Sequence, residues 1–255
     1  MLEQYIREQR ARKDMLLMTH LVLGYPSFEA NRDMIAQMAA AGVELIELQI
    51  PFSEPTADGP VILEANDQSL KRGATVAACF DFAKEVCAAY PDVKFLFMTY
   101  FNILFMRGID NFIAAAQASG VQGVILPDLP PEEGADYLAA CRKRGVDSIF
   151  IFTPTSSRER LETLAQVAQG FVYCVGRRGV TGGKTTFDAE LSALIEGYRG
   201  ATRLPLALGF GIQERADVDF LKGKADIAVL GTKLLRLQEE QGAAAVGAFL
   251  RGLRG

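Results

Sequence analysis

The sequence predicts an α/β protein built as a single (β/α)8 TIM barrel, and three observations support this. Short apolar runs alternate with longer amphipathic stretches along the 255-residue chain. Alternation of this kind is typical of a parallel sheet, because parallel strands need crossover connections. Eight such repeats in about 250 residues fit a closed barrel better than an open sheet. No linker or charge run divides the sequence, so we expect one domain over residues 1–255.

Each strand is predicted from a short run that is apolar almost throughout, as expected of parallel strands covered on both faces. From the N-terminus these runs are Leu16–Leu23, Leu45–Ile50, Phe95–Thr99, Val124–Leu126, Ser148–Phe152, Phe171–Val175, Leu206–Leu208 and Ile227–Leu230. Helices are predicted where apolar residues recur three or four positions apart. In order these are Ala30–Ala41, Val76–Ala89, Ile109–Ala118, Pro131–Arg144, Ser157–Ala168, Ala189–Tyr198, Ala216–Leu221 and Lys233–Leu253. An extra N-terminal helix, Met1–Lys13, would cover the bottom of the barrel, and another, Val61–Leu70, follows the second strand.

The net charge and the composition of the chain argue against several classes of partner and site. The net charge of −4 argues against nucleic acid and anionic membranes as partners. No apolar run reaches the roughly 18 residues of a membrane span. The four cysteines lack CxxC spacing, which indicates neither a metal site nor a disulfide framework. We therefore expect reduced thiols and a cytoplasmic protein.

An acidic residue lies inside the second predicted strand. Side chains alternate along a strand, so Leu45, Glu47 and Gln49 share one face. A buried carboxylate is costly unless it is paired or protonated. A second acid, Asp58, follows in a loop rich in proline and glycine, and two acids placed in this way can act as an acid/base pair. The alternative is that Glu47 is a structural acid paired with an arginine.

Glycine-bearing loops follow the last three predicted strands, at the end of the barrel where the active sites of this fold lie. They contain Gly182, Gly211 and Gly231. Glycine lets the backbone approach an anion closely, and a helix start supplies N–H donors. Thr232, at the expected N-cap of the last helix, would add a hydroxyl. We expect a phosphate site here, the alternative being that the glycines only form tight turns.

Six motifs between about Leu16 and Leu235 occur together: Pro51-Phe52-Ser53, Ala57-Asp58-Gly59-Pro60, Tyr100-Phe101-Asn102, Pro127-Asp128-Leu129-Pro130, Gly179-Val180-Thr181-Gly182 and Gly209-Phe210-Gly211-Ile212. In combination they resemble the tryptophan synthase α subunit family. The resemblance implies a lyase of tryptophan biosynthesis that cleaves indole-3-glycerol phosphate to indole and glyceraldehyde 3-phosphate by retro-aldol chemistry. It implies no metal or cofactor in this chain. It also implies a pyridoxal-phosphate-dependent β subunit as partner, in an αββα heterotetramer.

The resemblance assigns roles to individual residues. Glu47 would be the general acid that protonates the leaving indole carbon, and Asp58 would accept a hydrogen bond from the indole N–H. The other substrate-binding residues that it implies are Tyr100, Tyr173, Thr181, Ile62, Met98, Ile125, Ile151 and Phe210. For each apolar residue in this set, taken singly, a position in the barrel core is an equally good explanation. The phosphate would be held by Gly182, Gly211, Gly231 and Thr232.

The chain departs from the family pattern in and around the predicted site. His20 stands where an apolar pocket residue is usual, and Gln49 replaces a glycine. We expect both in the substrate pocket, where they would suit a more polar ring, and we expect Gln49 to be able to bond Glu47. Tyr25 replaces a turn aspartate, and Glu54 and Thr56 replace an aspartate and a leucine in the loop that contacts the β subunit. Drift in a working α subunit would explain the same differences.

Other functions remain open at this point. One is a paralogue that acts alone or on a related phosphorylated indole. Another is a barrel that serves mainly as an allosteric activator of a β subunit, although such a barrel needs neither Glu47 nor Asp58. A phosphosugar isomerase would explain the phosphate site but not the loop that carries Asp58.

Overall fold

Eight parallel strands close into a barrel in the order of the chain, which confirms the predicted fold class. The computed structural model describes residues 2–176, 189–209 and 211–254. Each strand pairs in parallel with its sequence neighbours, and the first pairs with the last. The strands are β1 (Leu16–Val22), β2 (Leu45–Gln49), β3 (Lys94–Met98), β4 (Gly123–Ile125), β5 (Asp147–Phe152), β6 (Val172–Val175), β7 (Leu206–Gly209) and β8 (Ile227–Leu230).

Helices surround the barrel and cover its bottom. Over the described residues they are α1 (Leu2–Arg10), α2 (Phe28–Ala40), α3 (Pro60–Lys71), α4 (Val76–Ala89), α5 (Phe101–Arg107), α6 (Ile109–Ala118), α7 (Ala135–Arg144), α8 (Arg158–Val167), α9 (Ala189–Ala201), α10 (Arg215–Leu221), α11 (Thr232–Gln241) and α12 (Ala243–Arg254). The two extra helices predicted, one at the N-terminus and one after the second strand, are therefore confirmed as α1 and α3. In the described part of the chain no helix is long and apolar enough to cross a membrane.

Three helical predictions are corrected by the structure. Helix α5 occupies a segment for which the sequence predicts a loop. The helix predicted from Pro131 begins only at Ala135, because the preceding residues form turns in which Gly134 N donates to Pro131 O. The last predicted helix is two helices, α11 and α12, divided at Gly242, whose φ of 80° favours glycine.

Apolar side chains fill two layers, as the strand alternation predicts. Leu45 packs inside the barrel with residues of neighbouring strands such as Leu96 and Ile125. Ile46 and Leu48, on the other face of β2, pack between the strands and the helices. The face of β2 that carries Glu47 and Gln49 therefore points into the barrel.

The bottom of the barrel is closed from below by α1. Leu2 and Ile6 are each 1% exposed and join the apolar cluster inside the barrel. The Leu2 backbone N–H donates to Asp147 Oδ2 at 2.9 Å, at the first residue of β5. Because the N-terminal ends of the strands are covered in this way, the opposite end is the open mouth.

Candidate active site

Glu47 lies inside the barrel on β2 and is 4% exposed. Its register partner on β1 is His20, and His20 Nδ1 lies 2.8 Å from Glu47 Oε1. The partner of this buried acid is therefore a histidine, and the alternative of an arginine is wrong. The sequence predicts His20 as a polar residue lining the pocket, and the structure shows that it contacts the predicted catalytic acid.

Asp58 is held at the same mouth by two donors. Its Oδ2 accepts from Gln49 Nε2 at 2.7 Å and from the Tyr100 hydroxyl at 3.1 Å. The Tyr100 hydroxyl in turn accepts from the backbone N–H of Ala57 at 3.1 Å. The expectation that Gln49 bonds Glu47 is wrong, because Gln49 lies two residues nearer the mouth, where the Asp58 loop folds over the strand ends.

The three titratable groups influence one another's charge. Burial alone would lower the pKa of His20. The charge of Glu47 and its hydrogen bond, the charge of Asp58 and a smaller effect of the Gln49 side chain outweigh burial and raise that pKa above 6.5. Burial raises the pKa of Asp58, against the opposing effects of His20 and of the hydrogen bonds from Gln49 and Tyr100. Two carboxylates and an imidazole are thus gathered in a water-poor site, an arrangement suited to moving protons.

Several buried polar atoms of this group have no partner in the described part of the chain. They are His20 Nε2, Glu47 Oε2 and Gln49 Oε1. A buried polar atom without a hydrogen-bond partner lowers the stability of the fold, so atoms of this kind in native sites usually bind a ligand or a water molecule. The unpartnered atoms belong to the predicted acid and to the two departures from the family pattern.

A residue that the sequence reasoning missed anchors the start of the Asp58 loop. Asn66, on α3, is 0% exposed, and its Oδ1 accepts from the Phe52 backbone N–H at 2.9 Å. Its Nδ2 donates to Ile62 O at 2.8 Å. The signal for it was present, because Asn66 shares the apolar face of α3 with Ile62 and Ala65 at helical spacing.

The apolar walls predicted for the pocket fall into two groups. Met98, Ile125, Ile151 and Tyr173 join the apolar cluster inside the barrel, a position that a pocket wall and a plain barrel core share. Ile62 is buried in a separate cluster at the mouth, which also contains Val22 at the end of β1 and Leu235 of α11. Phe52 stacks on Tyr100 with 5.1 Å between ring centroids, covering the tyrosine that binds Asp58.

Two of the three predicted phosphate loops begin at the ends of the neighbouring strands β7 and β8, and the third lies outside the described residues. A Cβ on Gly209 would lie 2.6 Å from the Tyr173 hydroxyl, and Gly211 has a φ of 70°, so both positions favour glycine. Gly231 is the N-cap of α11, and Thr232 is the first residue of that helix, not its N-cap as predicted. Three predicted site residues, Thr181, Gly182 and Phe210, lie outside the described residues.

Metal binding has no visible basis in the described ranges. Across residues 2–176, 189–209 and 211–254, no group of three or more His, Cys, Asp or Glu side chains is placed to hold a metal ion. The groups that could act on a substrate there are the carboxylates, the imidazole and the tyrosine hydroxyl.

Comparison with known proteins identifies the family. A family model described as "Tryptophan synthase alpha chain" matches residues 6–248. The chain belongs to the tryptophan synthase alpha chain family. The resemblance seen in the six motifs and the lyase activity that it implies are therefore confirmed.

Relatives in the family match over the whole chain. The alpha chain of Syntrophotalea carbinolica is 53% identical over 254 residues, covering 100% of both chains. That of Desulforapulum autotrophicum is 53% identical over 253 residues, covering 99% of this chain and 100% of its own. Among solved structures, tryptophan synthase of Mycobacterium tuberculosis is 29% identical with a TM-score of 0.92, covering 99% of this chain and 96% of that one. The tryptophan synthase complex of Pyrococcus furiosus is 29% identical with a TM-score of 0.85, covering 94% and 98%.

Proposed function

We propose that Glu47 and Asp58 carry the cleavage of indole-3-glycerol phosphate in this chain. The observation that supports this most is that two carboxylates on different elements, β2 and the loop before α3, are both buried at the barrel mouth. His20 contacts Glu47, and Gln49 donates a hydrogen bond to Asp58. One carboxylate oxygen of Glu47 has no partner in the described part of the chain. An acid and an acceptor fixed in this way match the two demands that the indole ring makes.

The first of these demands is a proton for the ring carbon that carries the glycerol chain. Glu47 supplies it from its unpartnered Oε2, while His20 holds Oε1. The ring nitrogen then becomes positively charged. Glu47, which is now a carboxylate, takes the proton of the neighbouring glycerol hydroxyl and becomes the acid again. The aldehyde C=O forms, and the electrons of the breaking carbon–carbon bond return to the ring. The products are indole and glyceraldehyde 3-phosphate, with atoms and charge balanced.

The second demand is an acceptor for the indole N–H as that charge develops. Both hydrogen bonds to Asp58 end on Oδ2, from Gln49 and from Tyr100. The other carboxylate oxygen is the one that can accept from the ring nitrogen. A preorganised carboxylate at this place stabilises the transition state more than the ground state, because the positive charge forms only during reaction.

We expect the phosphate at the ends of β7 and β8, among Gly211, Gly231 and Thr232; the family resemblance adds Gly182, which lies outside the described residues. Gly231 is the N-cap of α11, so the N–H groups of the first turn of this helix and the positive end of its dipole face the mouth. The Thr232 hydroxyl is half-buried beside them. These residues lie on the side of the barrel next to His20, since β8 pairs with β1.

The partner that we propose is a pyridoxal-phosphate-dependent β subunit, bound at the mouth. Phe105 and Met106 of α5 are 66% and 76% exposed, which is unusual for large apolar side chains in succession. Helix α5 starts directly after Tyr100, the residue that holds Asp58 and Ala57. A β subunit that covers this surface would receive indole next to the place where it is released.

The test of this function is indole release from indole-3-glycerol phosphate by the purified chain, with and without a β subunit. Release of stoichiometric indole and glyceraldehyde 3-phosphate, increased by the β subunit, is the expected result. A chain that binds the β subunit but releases no indole would instead support the activator function.

A further inference from the structure

The imidazole of His20 uses only one of its two nitrogens within the described part of the chain. Nδ1 lies 2.8 Å from Glu47 Oε1, whereas Nε2 has no partner there. His20 is 4% exposed, so water does not readily replace that partner. Leaving a buried N–H donor unsatisfied typically costs about 1–3 kcal/mol, more for a charged group. The unpartnered Nε2 therefore indicates that an atom of a bound ligand contacts His20 at this nitrogen.

The free edge of the ring lies on the phosphate side of the site. A Cβ placed on Gly231 would be 3.5 Å from His20 Cβ and 3.7 Å from Cδ2, the ring carbon bonded to Nε2. Gly231 is the N-cap of α11 and the first residue after β8. The ring thus extends from Glu47 towards the helix start that we assign to the phosphate.

We propose that His20 is a substrate-contacting residue, whose Nδ1–H fixes Glu47 and whose Nε2–H donates to an oxygen of the glycerol phosphate. This inference rests on the proposed function and adds a contact that a pocket with an apolar residue at this position lacks. The indole ring offers an N–H donor and a π face, while the glycerol hydroxyls and the phosphate offer acceptors. The Gln49 side chain interacts with the ring and helps to raise the pKa of His20, but neither Gln49 Oε1 nor His20 Nε2 has a hydrogen-bond partner in the described part of the chain. Of the two halves of the substrate, only the oxygen-bearing half offers an acceptor to Nε2.

A contact of this kind sets the distance between the acid and the bond that breaks. One rigid ring binds both the proton donor, Glu47, and the chain that leaves the indole carbon. Misplacement of either by about 1 Å is enough to slow a reaction a hundredfold. His20 therefore aligns the two reacting parts as well as binding the substrate.

Two amide substitutions separate the two nitrogens. In His20→Asn the amide N–H falls near the position of Nδ1, so the contact with Glu47 is kept and the contact with substrate is lost. In His20→Gln the longer arm places the N–H near Nε2, so the substrate contact is kept and the Glu47 contact is lost. Glycerol 3-phosphate is the probe, titrated calorimetrically against each variant, with indole as the probe for the other half of the pocket.

We expect His20→Asn to bind glycerol 3-phosphate about 10-fold to 100-fold more weakly than the wild type, as for loss of a hydrogen bond from a charged donor. His20→Gln should bind it within about threefold of the wild type, a difference that is small beside one hydrogen bond. Indole affinity should be unchanged in His20→Asn. In turnover, the Asn variant should mainly raise KM and the Gln variant should mainly lower kcat.

Equal affinity of all three proteins for glycerol 3-phosphate would overturn the inference, and so would an equal loss in both variants. If His20→Asn does not fold, the test rests on His20→Gln alone. Loss of glycerol 3-phosphate affinity in that variant would overturn the inference, and retained affinity would support it. The binding measurement needs no turnover. Failure of the wild type to release indole would therefore count against the proposed function, separately from the outcome for His20.

Discussion

Glu44 and Glu47 are both buried near β2, but their surroundings differ. Glu44, just before the strand, is 2% exposed and accepts from Lys13, from Arg254 at 2.8 Å and from the Leu17 backbone at 2.8 Å. Glu47, further along the strand, has one partner, His20, and a free oxygen in the described part of the chain. Full pairing indicates a structural acid, and incomplete pairing at the mouth indicates a functional one.

Replacing each acid with glutamine should separate these roles. We expect Glu47→Gln to abolish indole release with the melting temperature within a few degrees of the wild type, because the amide keeps the shape but cannot give a carboxyl proton. Glu44→Gln should keep activity and lose about 2 kcal/mol of stability, since hydrogen bonds to charged groups are lost. The measurements are indole release and thermal unfolding. Comparable activity in the two variants would remove Glu47 from its assigned role.

The double hydrogen bond to Asp58 Oδ2 makes Asp58→Asn an informative change. The asparagine carbonyl will turn towards the donors of Gln49 and Tyr100, which places its NH2 group against the indole N–H. Two donors then face each other where the wild type has a charged acceptor. We expect kcat to fall by about 100-fold to 1,000-fold, as for loss of one preorganised group. Near-normal turnover would show that the indole N–H binds elsewhere.

The His20–Glu47 contact should make stability depend on pH. The folded-state pKa of His20 is raised above the ordinary 6.5, so the folded protein holds this proton more tightly than the unfolded chain. Protonated His20 therefore contributes to the stability of the folded protein. This contribution is fully present below the pKa of His20 in the unfolded chain, and it is lost as pH rises through the pKa of His20 in the folded protein. We therefore expect the melting temperature of the wild type relative to His20→Phe to fall as pH rises above the ordinary imidazole pKa of about 6.5. A constant difference would mean that the ring is neutral in the folded protein.

At the scale of elements, the Asp58 loop is held from two sides. Asn66 of α3 accepts from Phe52 at the start of the loop, and Tyr100 binds Ala57 and Asp58 near its end. Between these anchors, Glu54 is exposed to solvent. The loop is therefore fixed where it carries Asp58 and open where a partner can reach it.

Removing one anchor tests this arrangement. Tyr100→Phe deletes the hydroxyl that links the loop to the end of β3 but keeps the ring that stacks on Phe52. We expect faster hydrogen exchange at the Ala57 amide and roughly 10-fold slower indole release, as for loss of a hydrogen bond to a charged group. Tyr198→Phe, which removes a hydroxyl bound to Val175 O, is the matched control. Equal effects of both changes on turnover would contradict a specific role for the Tyr100 hydroxyl.

The sequence predicts the elements of this barrel better than the contacts between them. Alternation along β2 places Glu47 inside, because neighbouring side chains point to opposite faces. Alternation does not predict that Gln49 reaches Asp58, which depends on how the loop folds back over the strand. The sequence does not predict helix α5, because no neighbouring residue caps its start. The N–H of its first residue, Phe101, instead donates to the carboxylate of Asp128, 27 residues later in the chain, at 2.9 Å. Such contacts come from tertiary structure and leave no periodic pattern.

At the scale of the whole molecule, the two ends of the barrel have separate tasks. The bottom is closed by α1 and by the ion pairs of Glu44 with Lys13 and Arg254, which tie the two ends of the chain to the barrel. The mouth carries the incompletely paired polar atoms and the exposed apolar residues of α5. The acid at the bottom, Glu44, is fully paired, whereas Glu47 near the mouth keeps a free oxygen in the described part of the chain.

The exposed apolar surface of α5 gives the last prediction. We expect Phe105→Asp with Met106→Asp to weaken binding of a β subunit by at least about 30-fold, because a central aromatic contact in an interface is typically worth about 2 kcal/mol or more. The isolated chain should keep its melting temperature and its indole release, since both side chains are exposed in it. The affinity is measured by titrating the chain into the β subunit and following the activity of the complex. If the double variant binds as the wild type does, the β subunit uses another face, and the continuity from Asp58 through Tyr100 to α5 would have no part in coupling the two subunits.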